Sequence, residues 1–181
     1  MSLAALGALV TLAACGLQPQ DHPELVRAGV PQTERSVPGP DARLVTVDTF
    51  LLRGDRLVPV RRTVQASGQV RTSMLALTQP LSPAEVAAGL RTAIPIAPTA
   101  PTGTITGTVA RLSMPAGFDR LPVHDQVGAM AQLVYTVTAD TDASSVRLVT
   151  DGREIPVPDG RGELQDRPVG RSDYSAWAPR D

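Results

Sequence analysis

The chain has 181 residues, with 17 basic against 18 acidic side chains, so its net charge is near zero and it carries no electrostatic footprint for nucleic acid. That length accommodates one ordinary domain and a tail, and a second full domain would be crowded. With a single cysteine, Cys15, an intramolecular disulfide and a cysteine-cluster metal site are excluded as well.

Every basic residue is arginine, and lysine and asparagine are absent, which reads as coding bias in a GC-rich genome. The aromatics are Phe50, Phe118, Tyr135, Tyr174 and Trp177. The core is therefore expected to be aliphatic, with few platforms for stacking sugars or bases.

Ser2 to Ala14 is an apolar run as long as a signal-peptide core and too short for a permanent membrane span. It ends in Leu12-Ala13-Ala14 followed by Cys15 and Gly16, which resembles a bacterial lipobox, in which small residues before the cysteine admit processing and the thiol receives a diacylglyceryl group. No basic residue precedes the run, although export signals normally carry one, so the true start is expected upstream. Residues 1–14 thus read as a lipoprotein signal peptide. Residues 15–40 read as a lipidated cysteine and a Pro-, Gly- and Gln-containing tether, with His22 solvated within it. The expected address is the extracytoplasmic face of the cell membrane, with Cys15 as the anchor.

Residues 41–181 form the expected domain. Leu44 to Leu52 and Arg56 to Val60 read as paired strands around Arg53-Gly54-Asp55. That triplet spells the integrin tripeptide, but a hairpin turn explains it. Arg61-Arg62 opens a segment in which Val64 to Thr78 is expected to be helical. Ser82-Pro83-Ala84-Glu85 is a helix start, with Ser82 as N-cap and Glu85 at the third position. Gly89 and the proline-rich run Ile94 to Pro101 end this helix.

Thr104 to Met114 reads as one strand near the sheet centre, with Gly107 as a bulge or close approach. Phe118 is expected to plug the core. From Pro122 a long helix carries Val123, Val127, Met130, Ala131, Val134 and Val137 at spacings of three and four, one stripe that needs a sheet to cover. Ser145 to Thr150 and Arg153 to Val157 are strands joined by Asp151-Gly152, the second placed at a sheet edge by Pro156 and Pro158. Ser172 is the expected cap of a last helical turn. Tyr174 and Trp177 on that turn favour docking onto the domain; with Tyr135 they also make up the candidate binding surface.

The run AQLVYTVTA, then SSVRLVTDGREIPV, then RSDYSAW, together with LLRGDRLVPVRRTV and LSPAEVAAGLRTAIP upstream, resembles the GerMN domain family. That family is named for sporulation and germination proteins and is also found in actinobacterial lipoproteins. The resemblance covers most of Leu44 to Pro179. One departure stands out: where such domains often carry V-D-L-S at a strand end, this chain has Ala110-Arg111-Leu112-Ser113.

No H-E-x-x-H, G-x-S-x-G, phosphate-loop or dinucleotide fingerprint occurs. His124 beside Asp125 has no nucleophile with it. Asp119 with Asp125, or Asp140 with Asp142, would make a hydrolase only if they shared a cleft. The expectation is therefore an α+β domain with about four or five strands in one mixed or antiparallel sheet and two main helices packed on it. Its expected function is non-enzymatic: a lipid-anchored binding module for an envelope protein or cell-wall component, in sporulation, germination or envelope signalling. No cofactor, metal or nucleic acid is expected. The alternatives are a carrier holding a hydrophobic molecule between helix and sheet, and a carboxylate-dependent hydrolase.

Overall fold

The computed structural model describes residues 43–95, 101–114, 117–150 and 152–180. The segments expected to be a signal peptide, lipobox and tether, with Cys15, and most of the proline-rich run lie outside the described residues.

Strands β1 (Leu44–Arg53) and β2 (Arg56–Gln65) form a long antiparallel ribbon that turns at Gly54-Asp55, with Gly54 at φ 57°. β2 runs five residues past its expected end, and the helix expected from Val64 begins only at Gln69. The adjacent arginines looked like a break between elements. In fact Arg61 faces solvent while Arg62 is buried, the alternation of a strand. Helix α1 (Gln69–Leu77) follows Gly68, and α2 (Pro83–Ala87) begins in the expected capping box, with Ser82 and Glu85 satisfying each other's backbone amides.

The expected single strand over Thr104 to Met114 is two strands, β3 (Thr102–Thr106) and β4 (Val109–Ser113), folded about Gly107-Thr108. Gly107 sits at φ 60° and makes the turn itself, so it is no bulge. A 3-10 turn over Phe118–Arg120 buries Phe118 in the core and leads to α3 (Val123–Val137).

After α3 come β5 (Ser145–Thr150), β6 (Arg153–Ile155), β7 (Val157–Pro158), β8 (Leu164–Gln165) and β9 (Val169–Gly170). A 3-10 helix over Arg171–Trp177 closes the fold. The main sheet has the order β3-β4-β5-β6, with β9 beside the start of β5. β4 and β5 are parallel and every other pair in the sheet is antiparallel, so the sheet is mixed, with α3 as the crossover. β6 is an edge strand, as its flanking prolines require, and ends at Ile155. Val157, expected to continue it, pairs with Gln165 instead.

α3 is more enclosed than a one-stripe helix. Every residue from Val127 to Val137 is buried, whereas Val123, expected on the stripe, is 57% exposed. Small residues permit this: a Cβ at Gly128 would stand 3.1 Å from Leu52 and 3.4 Å from Trp177. With the sheet covering one side and the β1/β2 ribbon and the closing 3-10 helix the other, a helix apolar nearly all round is the one that fits. β1 is likewise buried on both faces. Phe50 and Leu52 join the main core, and Val47 joins Val64 and Ala76 in a smaller cluster against α1.

Candidate functional site

The aromatics expected at a binding surface are interior. Tyr135 is 7% exposed, Tyr174 0% and Trp177 6%. Tyr174 donates its hydroxyl to Pro158 O at 2.5 Å, and burial pushes its phenol far above the ordinary tyrosine value. Tyr135 meets Phe50 edge to face, with the Arg171 guanidinium over its ring. Arg171 also donates to Tyr135 O and to Thr138 Oγ1, closing the C-terminus of α3. These residues clamp the closing helix to the domain and offer no surface for a ligand. The cap of that helix is not Ser172. The Asp173 carboxylate accepts from Gly170 N at 2.7 Å and pairs with Arg167, and the Arg167 bond holds its carboxyl below the ordinary range against the opposing effect of burial.

Of the four candidate acids, Asp125, Asp140 and Asp142 are spent on structure. Asp140 accepts from Asp48 N at 2.8 Å, Asp142 from Gln69 Nε2 at 2.9 Å, and Asp125 faces Arg91 at 3.4 Å. His124 bonds Asp55, not Asp125, at 3.0 Å, on the surface beside Trp177. Among the described residues no three His, Cys, Asp or Glu side chains converge on a metal position. Arg111, standing where the V-D-L-S pattern places an acid, pairs with Glu154 on the open face of the sheet, and Glu154 also holds Arg147 at 3.2 Å.

Among the described residues the fold opens a place that the sequence did not single out. The first turn of α1 (Gly68 to Arg71) and Gly103 to Ile105 on β3 line a cavity of about 330 Å³. Two glycines shape it. Gly68 sits at φ 85° with open space where a Cβ would point. At Gly103 a Cβ would fall 2.7 Å from Arg111 O and 2.8 Å from Val70 Cγ1, so only glycine lets α1 lie this close to the strand.

β3 is also the outer strand of its sheet. The pair Thr106 and Val109 closes a two-residue turn, so alternate residues Thr102, Thr104 and Thr106 face β4 with their amides and carbonyls, and those of Gly103 and Ile105 point away. The outer edge of β1 is treated differently. Phe50 N donates to Thr136 Oγ1, Phe50 O accepts from Gln132 Nε2, and Leu52 exchanges both backbone bonds with Arg91. One edge is covered group by group; among the described residues the other is not.

No family model matches the chain, and no curated protein matches it. Among solved structures, it is similar to the tandem GerMN domains of the sporulation protein GerM from Bacillus subtilis, at 21% identity and a TM-score of 0.57, over 72% of this chain and 48% of that one. It also aligns with the first GerMN domain of the same protein, at 20% identity and a TM-score of 0.45, over 61% of this chain and 86% of that one. The chain thus spans about half the length of the tandem-domain relative. The described domain has a GerMN-like α+β fold.

Proposed function

We propose that this chain is a non-enzymatic, lipid-anchored protein of the cell envelope whose GerMN-like domain is a binding module for an envelope protein or cell-wall component. A setting in sporulation, germination or envelope signalling follows from the relative's description and belongs to the same proposal.

The observation that carries the reading is the filled space between helix and sheet. Val127, Met130, Leu133 and Val134 of α3 meet Leu112, Val146 and Leu148 of the sheet, each 4% exposed or less. A carrier keeps a ligand-sized apolar cavity at that interface. Here the space is taken by side chains, and the cavity beside β3, among the described residues, lies at a sheet edge. Asp125, Asp140 and Asp142 are engaged by an arginine, a backbone amide and a glutamine rather than turned toward one cleft, which favours a module over a hydrolase. The lipobox and tether supply the address: each methylene of a lipid on Cys15 adds roughly 0.8 kcal/mol to membrane attachment.

The test is crosslinking of the tagged chain in cells, with affinity capture and the Cys15→Ala form as comparison. One envelope protein or wall fragment recovered with the anchored form is the expected result. A chain that emerges alone carrying a lipid or metabolite overturns the module in favour of a carrier. Membrane retention unchanged by Cys15→Ala overturns anchoring through that thiol.

A further inference from the structure

We propose that the open edge of β3 and the cavity beside it form a docking site for an extended segment of a partner protein that carries an acidic side chain, added to the sheet as a further strand. This rests on the binding-module reading and places it on particular atoms.

Three observations converge. First, Gly103 and Ile105 each present an amide and a carbonyl outward, a spacing that only an extended backbone matches. Proteins normally blunt such an edge with charge, proline or a covering element. β3 reads TGTIT, with no charge and no proline, while β1 in the same domain is covered along its edge by α3 and by Arg91. Second, Gly103 and Ile105 have their side-chain positions on the face that meets α1, opposite to the threonines. A strand laid beside β3 turns the residues facing those two into the cavity of about 330 Å³, room for side chains of a passing peptide. Third, Arg71 is the one charged residue among those lining the cavity, and among the described residues no acid pairs with it. Asp142 accepts from Gln69 instead. The partner's complementary group is therefore a carboxylate on the cavity-facing side of the strand. Backbone pairing supplies the attachment, and Arg71 selects the register.

The test is selection of a displayed library of random decapeptides on the full chain, followed by titration of the enriched peptides as fluorescent conjugates. The expected result is enrichment of alternating, strand-forming sequences with an acidic residue on one face. Arg71→Glu should weaken their binding about tenfold, because like charges then meet at the contact. A peptide with lysine replacing that acid should prefer the Arg71→Glu protein. Ile105→Pro removes an outward amide while leaving the β3–β4 bonds intact, and should abolish binding. Far-UV circular dichroism checks that each variant is folded. If Ile105→Pro does not fold, the charge reversal and its lysine rescue still decide the matter. No enrichment, or enriched peptides indifferent to Arg71→Glu, overturns the site. The broader reading has its own outcome: a partner crosslinked in cells equally by wild type and Arg71→Glu keeps the module and removes the site.

Discussion

Arg62 and Glu85 form a buried ion pair that ties the end of one helix to the start of the next. The guanidinium donates to both carboxylate oxygens at 2.9 to 3.1 Å, and its remaining nitrogen donates to Ala76 O at 2.8 Å and Gln79 O at 3.0 Å, at the C-terminal end of α1. Glu85 meanwhile closes the capping box of α2. The Arg62 side chain is 6% exposed and that of Glu85 12%. Removing one partner leaves a buried charge unpaired, so Arg62→Met should cost about 3 to 5 kcal/mol. Urea denaturation of the two single variants and the double variant measures it, and the double should lose less than the sum of the singles.

The same pair sets an acid limit. Burial alone would push the Glu85 carboxyl up, but the Ser82 amide and Arg62 outweigh it and hold it below its ordinary 4.5; Asp173 lies below its ordinary 3.8 chiefly through Arg167. Over that range the unfolded chain binds more protons than the folded one. The stability these groups contribute is complete above the ordinary values and is lost as pH falls through the lower folded ones. The melting temperature should therefore drop between about pH 5 and about pH 3, with a shallower drop in Glu85→Gln.

Gly103→Ala forces a methyl group against the Arg111 carbonyl and the Leu112 and Val70 side chains, all within 2.8 Å of the added carbon. The carbonyl belongs to the paired strand and has nowhere to retreat. A loss of about 1 to 3 kcal/mol is expected for such overpacking, read as a lower midpoint of urea unfolding.

Thr136→Val keeps the shape of the side chain and deletes the acceptor for the Phe50 amide. Because that amide faces the helix and not water, it is left unpaired, at a cost of about 1 to 3 kcal/mol. Hydrogen exchange should accelerate at Phe50 more than at other β1 amides that bond β2.

The features that could be read from the sequence were those written locally. Ser82, Pro83 and Glu85 announce their helix by capping chemistry alone, and Gly54-Asp55 announces its turn. Arg62 shows the limit: its role depends on a carboxylate that the fold brings across from α2, so a charged pair in a strand looked like a boundary. Thr104 to Met114 failed for a related reason, since Gly107 has the same composition signal whether it bends one strand or joins two. The enclosure of α3 was not read from its one apolar stripe, because the neighbours that require Gly128 to be small, Leu52 and Trp177, come from distant parts of the chain. The cavity was not legible at all, as Gly68 and Gly103 meet only after α1 packs on β3.

The parallel contact of β4 with β5 bears on how the chain reaches this state. Arg111 comes to lie beside Arg147 only when all of α3 has been threaded between them, whereas β1 with β2 and β3 with β4 close over two-residue turns. Pairing between sequence-distant strands makes loop closure expensive before any contact offsets it, and it slows folding. The hairpins are thus early structure and the β4–β5 seam late. Until that seam forms, the far edge of β4 is a second unpaired edge exposed to other chains, and the speed with which α3 settles onto the sheet governs how long a folding molecule stays in that state.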